Sequence, residues 1–196
     1  MFFIKLLTLI LLATQLQAQD VIVKKADLRL VVPKADIDAK IAAISSEIDQ
    51  KYQGEPIAIV MIMKGSICFA ADLLRSLESD ATLDYISCSS YGKNGTTRGE
   101  LTISGIDKLD LEGKHVIIVD DISDTGSTFK AVVESLQDKK TKSIVTIALL
   151  KRCSDKVPVF TPDYALFDIK SDDFVIGYGL DYKEHYRGLE SVYALN

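Results

Sequence analysis

The chain has 196 residues, of which 47% are hydrophobic and 26% charged, a balance that suits one soluble domain and excludes a disordered or fibrous chain. A net charge of −5 leaves no basic stripe of the kind that binds a phosphate backbone, so no nucleic-acid partner is expected. Three cysteines, Cys68, Cys88 and Cys153, are an odd number without a CxxC pair; they are expected as buried, reduced thiols, in neither a disulfide framework nor a zinc site.

Residues 1–20 carry one early lysine, an apolar run from Leu6 to Ala13 and a small residue at Ala18, the form of a secretory signal. The run is too short for a stable membrane span. A cleaved signal, a mis-set start and an N-terminal arm all fit. The division expected is therefore a signal-like or extra segment at 1–20 and one domain at 21–196. An edge segment is expected at Leu28–Val32. After Pro33, Ile37, Ile41, Ile44, Ile48 and Tyr52 recur at steps of four and three, the stripe of an amphipathic helix. Gly54-Glu55-Pro56 ends it, and Ile57–Met63 reads as a strand buried on both faces. The strand stops at Lys64-Gly65-Ser66, and a helix follows with Ile67, Ala70, Ala71, Leu74 and Leu77 on its apolar side. Leu83–Ser89 reads as a third strand. Residues 90–99 hold three glycines and little apolar besides Tyr91, the composition of a mobile loop. Leu101–Ser104 resumes a strand, and 107–113 turns.

The segment HVIIVDDISDTGSTFK, His115 to Lys130, concentrates the chemistry. Val116 to Val119 form a buried strand that ends on Asp120 and Asp121. The small, hydroxylated run Asp124-Thr125-Gly126-Ser127-Thr128 then leads into a helix with Phe129, Val132, Val133 and Leu136 apolar. Converging backbone N–H groups, three hydroxyls and a helix N-terminus make a phosphate cradle. The acid pair offers the oxygen ligands that a sugar diol or magnesium favours. An ATPase magnesium strand would need GxxxxGK[ST], and the sequence has none. Ser143–Leu150 is a further buried strand capped by Lys151-Arg152, and Tyr164–Ile169 and an aromatic-rich tail complete the chain. His115 and His185 are expected at the surface without a role. Strands alternating with helices predict an α/β fold with an open, mostly parallel sheet, whose ligand crevice lies at the strand carboxyl ends, where Lys64, Asp120 and Lys151 fall.

VDDISDTGST at 119–128 resembles the phosphoribosyl-pyrophosphate signature of the type I phosphoribosyltransferases. From about Val23 onward the chain looks like the hypoxanthine(-guanine) branch of that family: MKGS at 63–66 resembles the pyrophosphate-binding turn, SSYG at 89–92 the closing loop, and LLKR with DFVIGYGLDYKEHYR the purine site. The resemblance implies a flanked parallel sheet with a small hood built from the chain ends. It implies magnesium-dependent transfer of the phosphoribosyl group to hypoxanthine, with guanine as a second base. A xanthine-preferring transferase and a non-catalytic sensor of phosphoribosyl pyrophosphate are the alternatives.

By the same resemblance, Asp120 and Asp121 would hold the ribose and organise magnesium, and Asp124, Thr125, Gly126, Ser127 and Thr128 would hold the 5′-phosphate. Asp124 would also serve as catalytic base at the purine N7. Lys64, Gly65 and Arg187 would meet pyrophosphate, and Asp181 a second magnesium. Lys151 would reach the 6-oxo group, Phe174 would stack on the base and the Val175 backbone would read its edge. Ser90 and Tyr91 would root the closing loop. Ser127 departs from the pattern, standing where several relatives place a lysine. A cytoplasmic homo-oligomer, dimer or tetramer, is the assembly implied.

Overall fold

The computed structural model describes residues 27–90, 101–154 and 157–195. The expectations for residues 1–20, for Tyr91 and for the rest of the closing loop fall outside them, as does the Ser90 side chain.

The helix α1, Lys34–Lys51, starts straight after Pro33, whose extended backbone (ψ 148°) turns the chain into it, and Asp36 faces the positive end of the helix. Its stripe is the one expected: Ile37, Ile41, Ile44, Ile48 and then Tyr52 are all buried. Each such side chain contributes about 1.5–3 kcal/mol on leaving water, far more than any capping contact here. The strand β2, Ile57–Met63, is followed by α2, Ile67–Ser76. On α2 the buried residues are Phe69, Ala70 and Leu73, while Ile67 is 43% exposed. The inward face is therefore turned by about one residue from the expected one, because the large Phe69 and Leu73, four apart, occupy the core together.

The main sheet has six strands in the order β4, β3, β2, β5, β6, β7, where β3 is Ala81–Ser90, β4 is Leu101–Ser104, β5 is His115–Ser123, β6 is Ser143–Arg152 and β7 is Tyr164–Ile169. All pairings are parallel except β3 with β4, which runs antiparallel. The central β5 has Val116 to Val119 wholly buried, as its β-branched run requires. The helix α3, Ser127–Ser135, covers one face through Phe129 and Val132, with Leu136 buried just beyond its end; α1 and α2 lie against the other. The expected open parallel α/β sheet is what forms.

A second, three-stranded antiparallel sheet sits over the carboxyl ends, ordered β1 (Leu28–Val32), β9 (Val192–Leu195), β8 (Val175–Ile176). It is the hood made by the two chain ends. Two smaller expectations are corrected. His115 is half-buried, its Nδ1 2.8 Å from Ser143 Oγ and its ring stacked 4.3 Å from that of Tyr52, so it packs where two strand starts meet α1. The cysteines are free, but Cys153 is exposed just past β6 and the other two are only half-buried, Cys68 on the side of α2 that meets the Arg187 carbonyl and Cys88 beside the edge strand β4. Among the described residues no helix is long and apolar enough to cross a membrane.

Candidate active site

The parallel strands β2, β5 and β6 end side by side, and the segments leaving their carboxyl ends build the site. β5 continues past the acid pair to Ser123, which lies opposite Lys151. Asp120 and Asp121 therefore belong to the end of a rigid strand and not to a loose loop. Asp120 is buried, at 7% exposure, and its carboxylate accepts the Asp121 N–H at 3.0 Å; Asp121 in turn accepts the Ile122 N–H at 2.8 Å. Burial pushes the Asp120 carboxyl well above the usual range, and the neighbouring charge of Asp121 adds to the rise. Burial likewise raises Asp121, against its hydrogen bonding with Asp120 and the Ile122 N–H and, last, the charge of Arg187.

The turn after β2 presses directly on this pair. A side chain at Gly65 would place its Cβ 1.7 Å from Asp121 Oδ2, so only glycine lets the backbone come so near. The hood makes the next layer: a Cβ at Gly179 would lie 1.9 Å from the Gly65 carbonyl oxygen, and Gly179 has a φ of +102°. Arg187 donates to the Gly179 carbonyl at 2.8 Å and pairs with Asp181 at 2.8 Å and with Glu184 at 3.3 Å. Lys64 pairs with the same Glu184 at 3.0 Å. The two cations expected to meet pyrophosphate are thus gathered, and they share one exposed carboxylate. That carboxylate is held below its usual pKa by Lys64 first and Arg187 second.

Beyond β5 the chain forms the cradle. Gly126 takes a left-handed φ of +77°, and a Cβ there would meet the Phe160 carbonyl oxygen at 1.8 Å. Thr125 Oγ1 donates to Ser127 Oγ at 3.2 Å, and the Thr125 carbonyl accepts the Val159 N–H at 2.9 Å, which fastens the loop to the chain wrapped behind it. A cavity of about 190 Å³ opens here, lined by Asp120 and by 122–129. A second, of about 300 Å³, lies beside it among Ser123, Asp124, Lys151, Arg152 and Phe160. Ser123 and Asp124 line both. A larger cleft of about 580 Å³, at the opposite ends of the strands near Asp49, Ile57, Thr82 and Lys114, has none of these features.

Lys151 leaves β6 on the carboxyl side and pairs with Asp168 at 3.0 Å. Phe174 is 52% exposed, its ring edge-on to Tyr182 at 5.9 Å, so a flat apolar surface faces solvent beside the site. Val175 is buried and paired to Ala194 in the hood. Asp181 lies on Arg187; it does not converge with the acid pair, and among the described residues no three acids, histidines or cysteines form a metal cluster. The expected residues thus fall into three adjoining groups: the loop 124–128, the acid pair with the Gly65 turn and Arg187, and Lys151 with Phe174 and Val175.

Residues 34–183 match the model of the phosphoribosyl transferase domain. The chain belongs to that family. Among phosphoribosyl transferases it is 36% identical to the hypoxanthine-guanine phosphoribosyltransferase of Aquifex aeolicus, over 86% of this chain and 94% of that one. It is 35% identical to the hypoxanthine phosphoribosyltransferase of Escherichia coli K12, over 84% and 93%. The solved hypoxanthine phosphoribosyltransferase of Staphylococcus aureus superimposes with a TM-score of 0.79 at 33% identity, over 87% of this chain and 93% of that one.

Several residues escaped the sequence reading. Arg152 reads there as a strand cap, Tyr178 as part of an aromatic-rich tail, and Glu184 is given no role of its own. The one local sign was a tyrosine held between two glycines, Gly177 and Gly179, both at positive φ.

Proposed function

We propose that the protein is a purine-salvage enzyme that transfers the 5-phosphoribosyl group from phosphoribosyl pyrophosphate to N9 of hypoxanthine, and of guanine, releasing pyrophosphate. The observation that carries this is the pair of adjoining cavities that share Asp124. One is the size and chemistry of a sugar phosphate's seat, and the other is flanked by the purine-wall residue Lys151. In this reading the 5′-phosphate takes the N–H groups at the start of α3 and the hydroxyls of Thr125, Ser127 and Thr128. Asp120 and Asp121 accept the ribose hydroxyls. Lys64 and Arg187 leave Glu184 for the diphosphate, with the Gly65 backbone at its side.

Asp120, Asp121 and Asp181 carry the hard oxygen ligands that magnesium favours and would hold it together with substrate oxygens. When bound, magnesium supplies neutralising charge to the leaving diphosphate. Lys151 donates to the 6-oxo group, Phe174 stacks on the ring, and the Val175 backbone reads its edge. The bond from C1′ to the diphosphate oxygen breaks and that from C1′ to N9 forms, through an oxocarbenium-like state that fixed charges stabilise best with water excluded. The family's closing loop, to which the resemblance assigns Ser90 and Tyr91, would exclude it. Asp124 accepts the proton lost from N7. Residues 21–196 form the transferase unit, a second copy of the chain is its partner, and the cytoplasm its location.

Purified protein offered hypoxanthine, guanine, xanthine, orotate and uracil with phosphoribosyl pyrophosphate and magnesium is expected to yield IMP and GMP. Conversion of a pyrimidine and of no 6-oxopurine would reverse the assignment. Asp124→Asn is expected to slow single-turnover chemistry by up to about 10²–10⁴-fold with substrate affinities little changed; unchanged chemistry removes the general-base role.

A further inference from the structure

The loop between β7 and β8 carries Phe174 at its end, and its backbone carbonyls point at one side chain from another strand. Arg152 Nη1 donates to the carbonyl oxygens of Lys170 at 3.0 Å, Ser171 at 3.1 Å and Asp173 at 2.7 Å. Its Nε lies 3.7 Å from Asp124 Oδ1, and the side chain is only 19% exposed. From the far side Arg29, on β1, pairs with the Asp173 carboxylate. The next residue's carbonyl, that of Phe174, accepts the Leu195 N–H at 3.0 Å.

We propose that Arg152 is a positioning residue that fixes the purine-stacking loop relative to the acid of the phosphate loop. This rests on the assignment of the site to phosphoribosyl transfer onto a purine. A guanidinium is suited to this because it is planar and carries five donors in a rigid fork, so it can face a carboxylate with one nitrogen and a carbonyl cluster with another. The side chain of Lys151, the adjacent residue, pairs instead with Asp168 on β7. Neighbouring residues of one strand thus divide the work: Lys151 leaves Asp168 to reach the base, and Arg152 sets where the wall of the base site stands. A lysine at 152 keeps a positive charge near Asp124 but places one ammonium where several carbonyls and a carboxylate must be met at once.

The test compares Arg152→Lys with the unmodified protein in steady-state kinetics and in binding of IMP and of ribose 5-phosphate. Arg152→Lys is expected to raise the KM for hypoxanthine and weaken IMP about tenfold, the scale of one lost charge-assisted hydrogen bond. The KM for phosphoribosyl pyrophosphate and the affinity for ribose 5-phosphate are expected to stay within about twofold, a split that general loosening would not give. Arg152→Gln, which also removes the charge facing Asp124, is expected to show the same purine-specific loss and to lower kcat as well. Purine affinity unchanged in Arg152→Lys, or ribose 5-phosphate weakened as much as IMP, overturns the proposal. Should Arg152→Lys fail to fold, Arg29→Gln, at an exposed position, frees Asp173 from the other side. A two- to threefold loss confined to the purine supports the proposal, and no purine-specific loss overturns it. An unmodified protein that binds ribose 5-phosphate but no purine nucleotide overturns the reading of the site itself, and this proposal with it.

Discussion

At the carboxyl end of β5 the chain keeps ionisable groups where water is largely excluded, and the consequence is measurable without any substrate. Because burial, and then the charge of Asp121, raises the Asp120 carboxyl in the folded protein, the folded state holds a proton more tightly than the unfolded chain. Such a group favours folding fully at pH below the ordinary carboxylate value, and that contribution is lost as pH rises through the raised folded value. Asp120→Asn, which cannot ionise, is therefore expected to raise the unfolding temperature at neutral pH. About 1 kcal/mol corresponds to about 2–4 °C in a chain of this size, and a rise of at least that is expected. The gain should vanish on acidification. Thermal unfolding across a pH series checks it, and a variant less stable at every pH would show that the carboxylate stabilises the fold. Site residues of this kind were legible in the sequence because 119–128 is contiguous and each type there has a local reason. Arg152 and Glu184 were not, since their partners lie up to 120 positions away.

At the scale of elements, the start of β7 is fixed to β6 by a reciprocal contact. The Asp163 carboxylate accepts the Thr146 N–H at 2.8 Å and its hydroxyl at 2.7 Å, while the Asp163 N–H donates to Thr146 Oγ1 at 2.9 Å. Thr146 is buried at 1% exposure, so Thr146→Val keeps the shape and removes two of the three bonds. A loss of about 1–2 kcal/mol, or roughly 2–8 °C in Tm, is expected in thermal unfolding, with hypoxanthine KM unchanged. A stability equal to the parent's would mean that solvent replaces the hydroxyl. Elements with one strong period were readable, as in α1. The apolar side of α2 was misplaced because Ile67 looks as buriable as Phe69 until the neighbours are known. β9 was missed outright, because VYAL is four residues long and its role depends on pairing with β1 and β8.

Taken whole, the molecule is a sheet with a hood, and the two are joined at Tyr178. Its hydroxyl donates to Asp72 Oδ2 on α2 at 2.6 Å, and its ring is buried at 3% exposure. Burial, then the Asp72 carboxylate, raises the phenol so far that it remains a donor at any physiological pH. The same segment holds Gly179 on the Gly65 turn and carries Asp181 and Arg187. Tyr178→Phe is therefore expected to lower the Tm by about 3–8 °C and to raise the KM for phosphoribosyl pyrophosphate severalfold, more than that for the purine. Kinetics with both substrates varied would show it, and an equal effect on both would mean that Tyr178 supports the hood without orienting the pyrophosphate side.

The hood has a further consequence, in the order of manufacture. β1 is the first described element to leave the ribosome and β9 the last, yet they pair residue against residue, Leu28 with Leu195 and Arg29 with Ala194. The six strands of the main sheet and its three helices can assemble from residues 34–169 while the hood strand nearest the beginning has no partner. Until 192–195 emerge, β8 also lacks its neighbour, and Val175 has no strand to lie against. A nascent chain can thus hold the acid pair and the loop 124–128 at the end of β5 while the segment of Phe174 and Val175 still lacks the strand that fixes it.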